Sequence, residues 1–266
     1  MKKRIISAVV ALAILIPVII LGGNIFNFTL IVLSLLSLNE LIEIRGKKDA
    51  LPISIKLLSL LALIAMIIGS LNSINYTFTI DFRFIPVLLF AMLIPILTYR
   101  DNKIYNIETA FYQIGSILLL GFSFSGLLLL RSHGLNYFAL LLIIVIATDT
   151  FAYLIGTFFG KRKLIPEISP NKTWEGTIAG VVLSTVAGYI YYINIMDTGV
   201  NDFKLIGVII CISVSAQIGD LIFSSIKRHF KAKDFGNTMP GHGGVLDRLD
   251  STIFAVLTII LFLTII

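Results

Sequence analysis

Long apolar runs decide what this chain can become. Nine stretches, roughly 5–23, 25–44, 53–72, 84–99, 108–130, 135–159, 174–194, 203–226 and 245–266, approach or reach the length of a membrane span. A bilayer-crossing helix needs about 20 mostly apolar residues. Lipid offers backbone N–H and C=O groups no partner, so such segments satisfy their own groups as helices. The two-residue alternation of a β-barrel is absent. Only 14% of residues are charged and the mean hydropathy is +0.98, whereas a soluble domain carries about a quarter charged residues. The expectation is an all-α, polytopic helix bundle with about nine transmembrane helices.

The N-terminal MKKRIISAVVALAILIPVIILGG begins like a signal peptide. It reaches spanning length, however, lacks an A-x-A-like cleavage site and is followed by further spans, so it is expected to remain as the first helix. Lys and Arg accumulate in cytoplasmic loops. Of the 21 here, all except Arg83, Arg131 and Lys204 fall at the N-terminus or in the even-numbered loops. That partition places the N-terminus in the cytoplasm and gives most of the net charge of +6 to one face. The single cysteine, Cys211, rules out a disulfide within one chain and is expected to be a small buried residue. No internal repeat or soluble domain is evident. Residues 1–140 read as scaffold spans facing lipid, and 141–266 as a catalytic membrane bundle with cytoplasmic loops.

Two segments hold almost all the unusual chemistry. The first, Ala147 to Gly176, reads ATDTFAYLIGTFFGKRKLIPEISPNKTWEG. Asp149 lies deep in an apolar run, where a charge is costly and points to function. Gly156 and Gly160 form a G-x-x-x-G pair that favours close helix packing. Pro170 within SPNKTWEG argues for a fixed loop, with Asn171 or Thr173 capping the next helix. The second segment runs from Gln217 to Ser251. If its helix continues past the membrane surface, Asp220, Ser224, Lys227 and Lys231 form one polar stripe. GHGG follows, and glycines let a backbone approach a ligand closely. Asp247 and Asp250 then open the last helix. Each residue has a plain alternative: an ion pair for Asp220 and Lys227, a helix-dipole charge for Asp247, a loop histidine for His242. Their convergence on one mouth favours a shared task. Carboxylate oxygens suit Mg²⁺ held together with substrate phosphates, and Lys and Arg suit phosphate oxygens. A P-loop motif and zinc-ligand spacings are missing. The residues thus point to metal-assisted handling of phosphate or pyrophosphate beside lipid.

The stretch SSIKRHFKAKDFGNTMPGHGGVLDRLD, Ser224 to Asp250, resembles the signature of the phosphatidate cytidylyltransferases, or CDP-diacylglycerol synthases. Its matching positions are Ser224, Lys227, Arg228, Lys233, Asp234, Gly236, His242, Gly243, Gly244, Asp247, Arg248 and Asp250. Met239 departs conservatively from the usual Leu, Ile or Phe. The SPNKTWEG loop, the length and the polytopic layout are similar too. The resemblance implies transfer of cytidylyl from CTP to phosphatidic acid, with release of pyrophosphate. It also implies Mg²⁺ on Asp220 and Asp247, a homodimer, and a polar cavity open to the cytoplasm and sideways to lipid. A second cation such as K⁺ is left open. The expected catalytic residues are Asp220, Asp247, Lys227, Arg248, Asp250 and His242. The expected substrate contacts are Asp149, Asn171, Lys172, Ser224, Arg228, Lys233, Asp234, Gly243 and Gly244. No nucleic-acid partner is expected. A CTP-dependent transferase or kinase acting on an isoprenoid lipid is the near alternative. An ion-coupled transporter would carry repeated, broken helices in both halves, a pattern this sequence lacks.

Overall fold

The computed structural model describes residues 13–46, 51–71, 83–99, 105–196, 199–238 and 243–263. The expectations for residues 1–12, Met239 and His242 lie outside the described residues. Helix occupies part of each of the nine apolar stretches. The helices are α1 (described over 13–21), α2 (Gly23–Arg45), α3 (Ile53–Leu71), α4 (Phe84–Thr98), α5 (Ile107–His133), α6 (Leu135–Phe159), α7 (Trp174–Tyr191), α8 (Asp202–His229) and α9 (Leu246–Phe262). Among the described residues six helices are long and apolar enough to cross a membrane, α7 being extended for this purpose by a π-helical turn at Tyr192–Met196. The protein is an all-α, polytopic membrane protein. Helices α4 and α9 are shorter, at 15 and 17 residues.

The chain divides into two compact units, Met1–Ser132 with Ala232–Asp247, and His133–Lys231 with Arg248–Ile266. In the first, α2 packs on α3 and α3 on α4. Its core buries Leu38, Leu63, Ile67, Leu88, Met92 and Phe124. Gly22 and Gly23 both take positive φ and break α1 from α2, a conformation that costs glycine little. Arg131 meets the end of α1, its Nε donating to Ile19 O at 2.8 Å and Nη2 to Ile20 O at 3.0 Å. A cation at a helix C-terminus satisfies carbonyls that lack helical partners.

The second unit is built on α6, α7 and α8, which all touch one another. Small residues form the α6–α7 seam. A Cβ on Gly176 would lie 2.5 Å from Ala152 O and 2.9 Å from Gly156 Cα, and one on Gly180 would lie 2.9 Å from Thr148 O. The backbones therefore run closer together than any larger side chain would permit. Buried hydroxyls add a polar tie: Thr148 Oγ1 and Ser213 Oγ are 2.7 Å apart, and Ser184 Oγ donates to Ser213 Oγ at 2.8 Å. Helix α8 meets α9 at Gly219, where a Cβ would lie 2.8 Å from Asp250 O, and through the edge-to-face pair Phe223–Phe254.

Three local expectations are corrected. The SPNKTWEG segment is not simply a loop: Ser169–Thr173 (β2) pairs antiparallel with Lys163–Ile165 (β1) in a bulged hairpin. A two-stranded hairpin leaves each strand one unpaired edge, where a proline is tolerated. The polar stripe of α8 stops short of Lys231, because the helix ends at His229 and Lys231 turns back at φ 53, donating its N–H to Arg228 O. Cys211 is exposed along α8 rather than buried.

Candidate active site

A cavity of about 560 Å³ opens in the second unit, lined by Asp149, Tyr153, Lys163, Asn171, Lys172 and Asp220 among others. Three elements supply these side chains. Asp149 and Tyr153 come from one face of α6. Lys163, Asn171 and Lys172 come from the hairpin, and Asp220 from α8. The hairpin is held in place at several points. Thr173 caps α7 by accepting from Gly176 N at 3.2 Å. Glu175 accepts from the backbone N–H groups of Lys161 and Arg162, at 3.1 and 3.2 Å. Arg228 Nε, from α8, donates to Ile168 O at 3.3 Å. Lys172 is thereby carried on a braced strand, and its Nζ meets Asp220 Oδ2 at 2.5 Å.

Asp220 is also approached from its own helix, where Ser224 one turn on donates to Oδ1 at 3.3 Å. Asp149 Oδ1 accepts from Ser251 Oγ at 3.4 Å. Asp250 interacts electrostatically with Asp220, Asp149 and Lys227, and Lys227 is only 9% exposed. Three carboxylates and two lysines thus share one charged cluster. Of the residues marked out by sequence, the second unit brings together Asp149, Asn171, Lys172, Asp220, Ser224, Lys227 and Asp250. Arg228 belongs to the same end of α8 but turns to the hairpin, and Arg248 is exposed on α9.

The first unit holds Gly243, Gly244 and Asp247 around the start of α9. Gly243 has φ +82. Asp247 Oδ2 accepts from Gly244 N and Phe235 N, each at 2.9 Å. Its reach back to a donor three residues earlier ties this turn to the first turn of α9. Lys233 and Asp234 are exposed in the segment leading to this turn. The residue that sequence reasoning missed is Glu40. It lies in the last turns of α2, is 2% exposed, and accepts from Val245 N at 2.8 Å and Leu246 N at 2.9 Å. A Cβ on Gly244 would run into that carboxylate. Gly244→Ala is therefore expected to cost about 2 kcal/mol of stability through overpacking, and to lower activity with it. A melting curve beside a turnover assay checks this; an unchanged Tm would mean that the carboxylate yields freely.

An apolar helix bundle with acidic and basic side chains set together in a cavity defines a membrane protein with a charged site. The comparison with known proteins narrows this class. The chain belongs to the cytidylyltransferase family, whose model matches residues 2–266, and is an enzyme that transfers a cytidylyl group. It is 34% identical over 259 residues to a phosphatidate cytidylyltransferase of Staphylococcus haemolyticus (strain JCSC1435), with 96% of each chain covered. It is 36% identical over 260 residues to one of Staphylococcus epidermidis (strain ATCC 35984), and 33% over 258 residues to one of Staphylococcus aureus (strain COL), with 96% of each chain covered in both cases.

Proposed function

We propose that the protein is a phosphatidate cytidylyltransferase of the cytoplasmic membrane, working as a homodimer with its site open to the cytoplasm. The observation that carries this reading is the Lys172–Asp220 pair in the membrane-unit cavity, together with relatives that bear this name. A phosphate oxygen of phosphatidic acid attacks the α-phosphorus of CTP. The bond from that phosphorus to the bridging oxygen of the β-phosphate breaks, and pyrophosphate leaves with the electron pair. The nucleophile is already ionised, so no strong general base is required. Catalysis is positioning and charge neutralisation.

Lys172, Lys227, Arg228 and Arg248 are assigned to the phosphates, with Asn171, Ser224, Lys233, Asp234, Gly243, Gly244 and Asp149 completing the substrate contacts. His242 and Asp250 keep a catalytic assignment. We assign Mg²⁺ to Asp220 and Asp247. Their carboxylate oxygens are the donors this hard cation takes, and when bound it would neutralise charge developing on the phosphates.

The test offers purified protein CTP with phosphatidic acid, polyprenol or polyprenyl phosphate. CDP-diacylglycerol and pyrophosphate with phosphatidic acid alone are expected. Release of CDP with polyprenol would make the protein a lipid kinase and overturn the reading.

A further inference from the structure

We infer that Glu40 is a positioning residue for the reaction: its buried carboxylate sets the backbone of residues 244–246 and, through it, Asp247. The inference rests on the assignment of Asp247 to the active site.

Among the described residues, every group that Glu40 meets by hydrogen bonding is a donor. Thr238 Oγ1 donates to Oε1 at 2.6 Å, Val245 N to Oε1 at 2.8 Å and Leu246 N to Oε2 at 2.9 Å. A carboxylate offers acceptors on both oxygens, and bonds to a charged acceptor are the stronger kind. The glycines are shaped to the same group. A Cβ on Gly236 would lie 3.2 Å from Glu40 Cγ and Oε1, and one on Gly244 would collide with the carboxylate.

The next donor back, Gly244 N, goes to Asp247 Oδ2 at 2.9 Å. Three successive N–H groups, 244 to 246, are thus divided between two carboxylates, one from α2 and one from α9 itself. Negative charge at a helix N-terminus is favoured by the helix dipole. The donors at 245 and 246 are committed to Glu40. Displacing Glu40 shifts the turn whose next residue is Asp247, and a shift of about 1 Å in a reacting constellation costs about 10²-fold in rate.

The test uses full-length protein in detergent. Glu40→Gln keeps the size but presents an NH₂ where an acceptor is needed. Without substrate, the amides of Val245 and Leu246 are expected to exchange hydrogen at least about tenfold faster than in the wild type. Exchange in α6 to α8 should be unchanged. With substrates, kcat per folded molecule should fall about 30-fold or more, with KM for CTP moving less than about threefold. Glu40→Asp keeps the charge and should recover part of kcat. Should Glu40→Gln fail to fold, Glu40→Asp and Thr238→Val carry the same two measurements at smaller amplitude. Wild-type kcat per folded molecule, or loosening spread evenly over the protein, would overturn the inference. If Asp247→Asn keeps full activity while Glu40→Gln still frees the 245 and 246 amides, the site assignment has failed and the anchoring stands.

Discussion

Asp220→Asn is expected to lower turnover by about 10³-fold or more while the protein still folds in detergent. The side chain is isosteric, and its remaining oxygen can still accept from Ser224, so α8 keeps its local bond. What disappears is the negative charge that faces Lys172 and Asp250. An amide does not neutralise the lysine, and it would be a poor ligand for the Mg²⁺ proposed at Asp220. Pyrophosphate release measured at saturating CTP and phosphatidic acid, beside a melting curve, separates chemistry from folding. Near-wild-type turnover at ordinary Mg²⁺ would remove Asp220 from the reaction.

Lys172→Met should reduce kcat/KM for CTP by about 10²-fold. Methionine retains an unbranched apolar stem of similar reach, so β2 should hold its place while the ammonium is lost. Lys172→Arg should restore only part of the activity, since a planar fork does not replace a compact point charge. Lys56→Met is the control. That lysine lies 3.9 Å from Glu43 on a partly exposed surface, where ion pairs contribute little. Equal, small losses at Lys172 and Lys56 would mean that the cations serve topology alone.

How much of this was legible depends on the range of the forces involved. The helices were, because lipid compatibility is written residue by residue: the run at 53–72 folds as Ile53–Leu71 and that at 135–159 as Leu135–Phe159. The acidic residues of the cavity were also visible in kind, since Asp149 and Asp220 interrupt apolar runs at a cost that requires a reason. The hairpin was not, because a three-residue strand is too short to display alternation and Pro170 disguises its partner. The end of α8 could have been anticipated from Lys227, Arg228 and His229 gathered in its last turn, a common stop signal. Glu40 could not. In NELIEIR it resembles an ordinary charged flank of a span, and its donors lie 198 to 206 residues further on. Nothing local distinguishes it from Glu43, which is exposed.

That separation has a consequence for biogenesis. A ribosome adds roughly 5–20 residues per second, so Glu40 emerges about 10–40 s before Thr238, Val245 and Leu246. For that interval the nascent chain carries an acid whose eventual donors do not yet exist. Its place in the last turns of α2, which ends on the basic Arg45, lies at the end of the span rather than in its middle. The contacts that hold Glu40 can form only after residues 238–246 have been made.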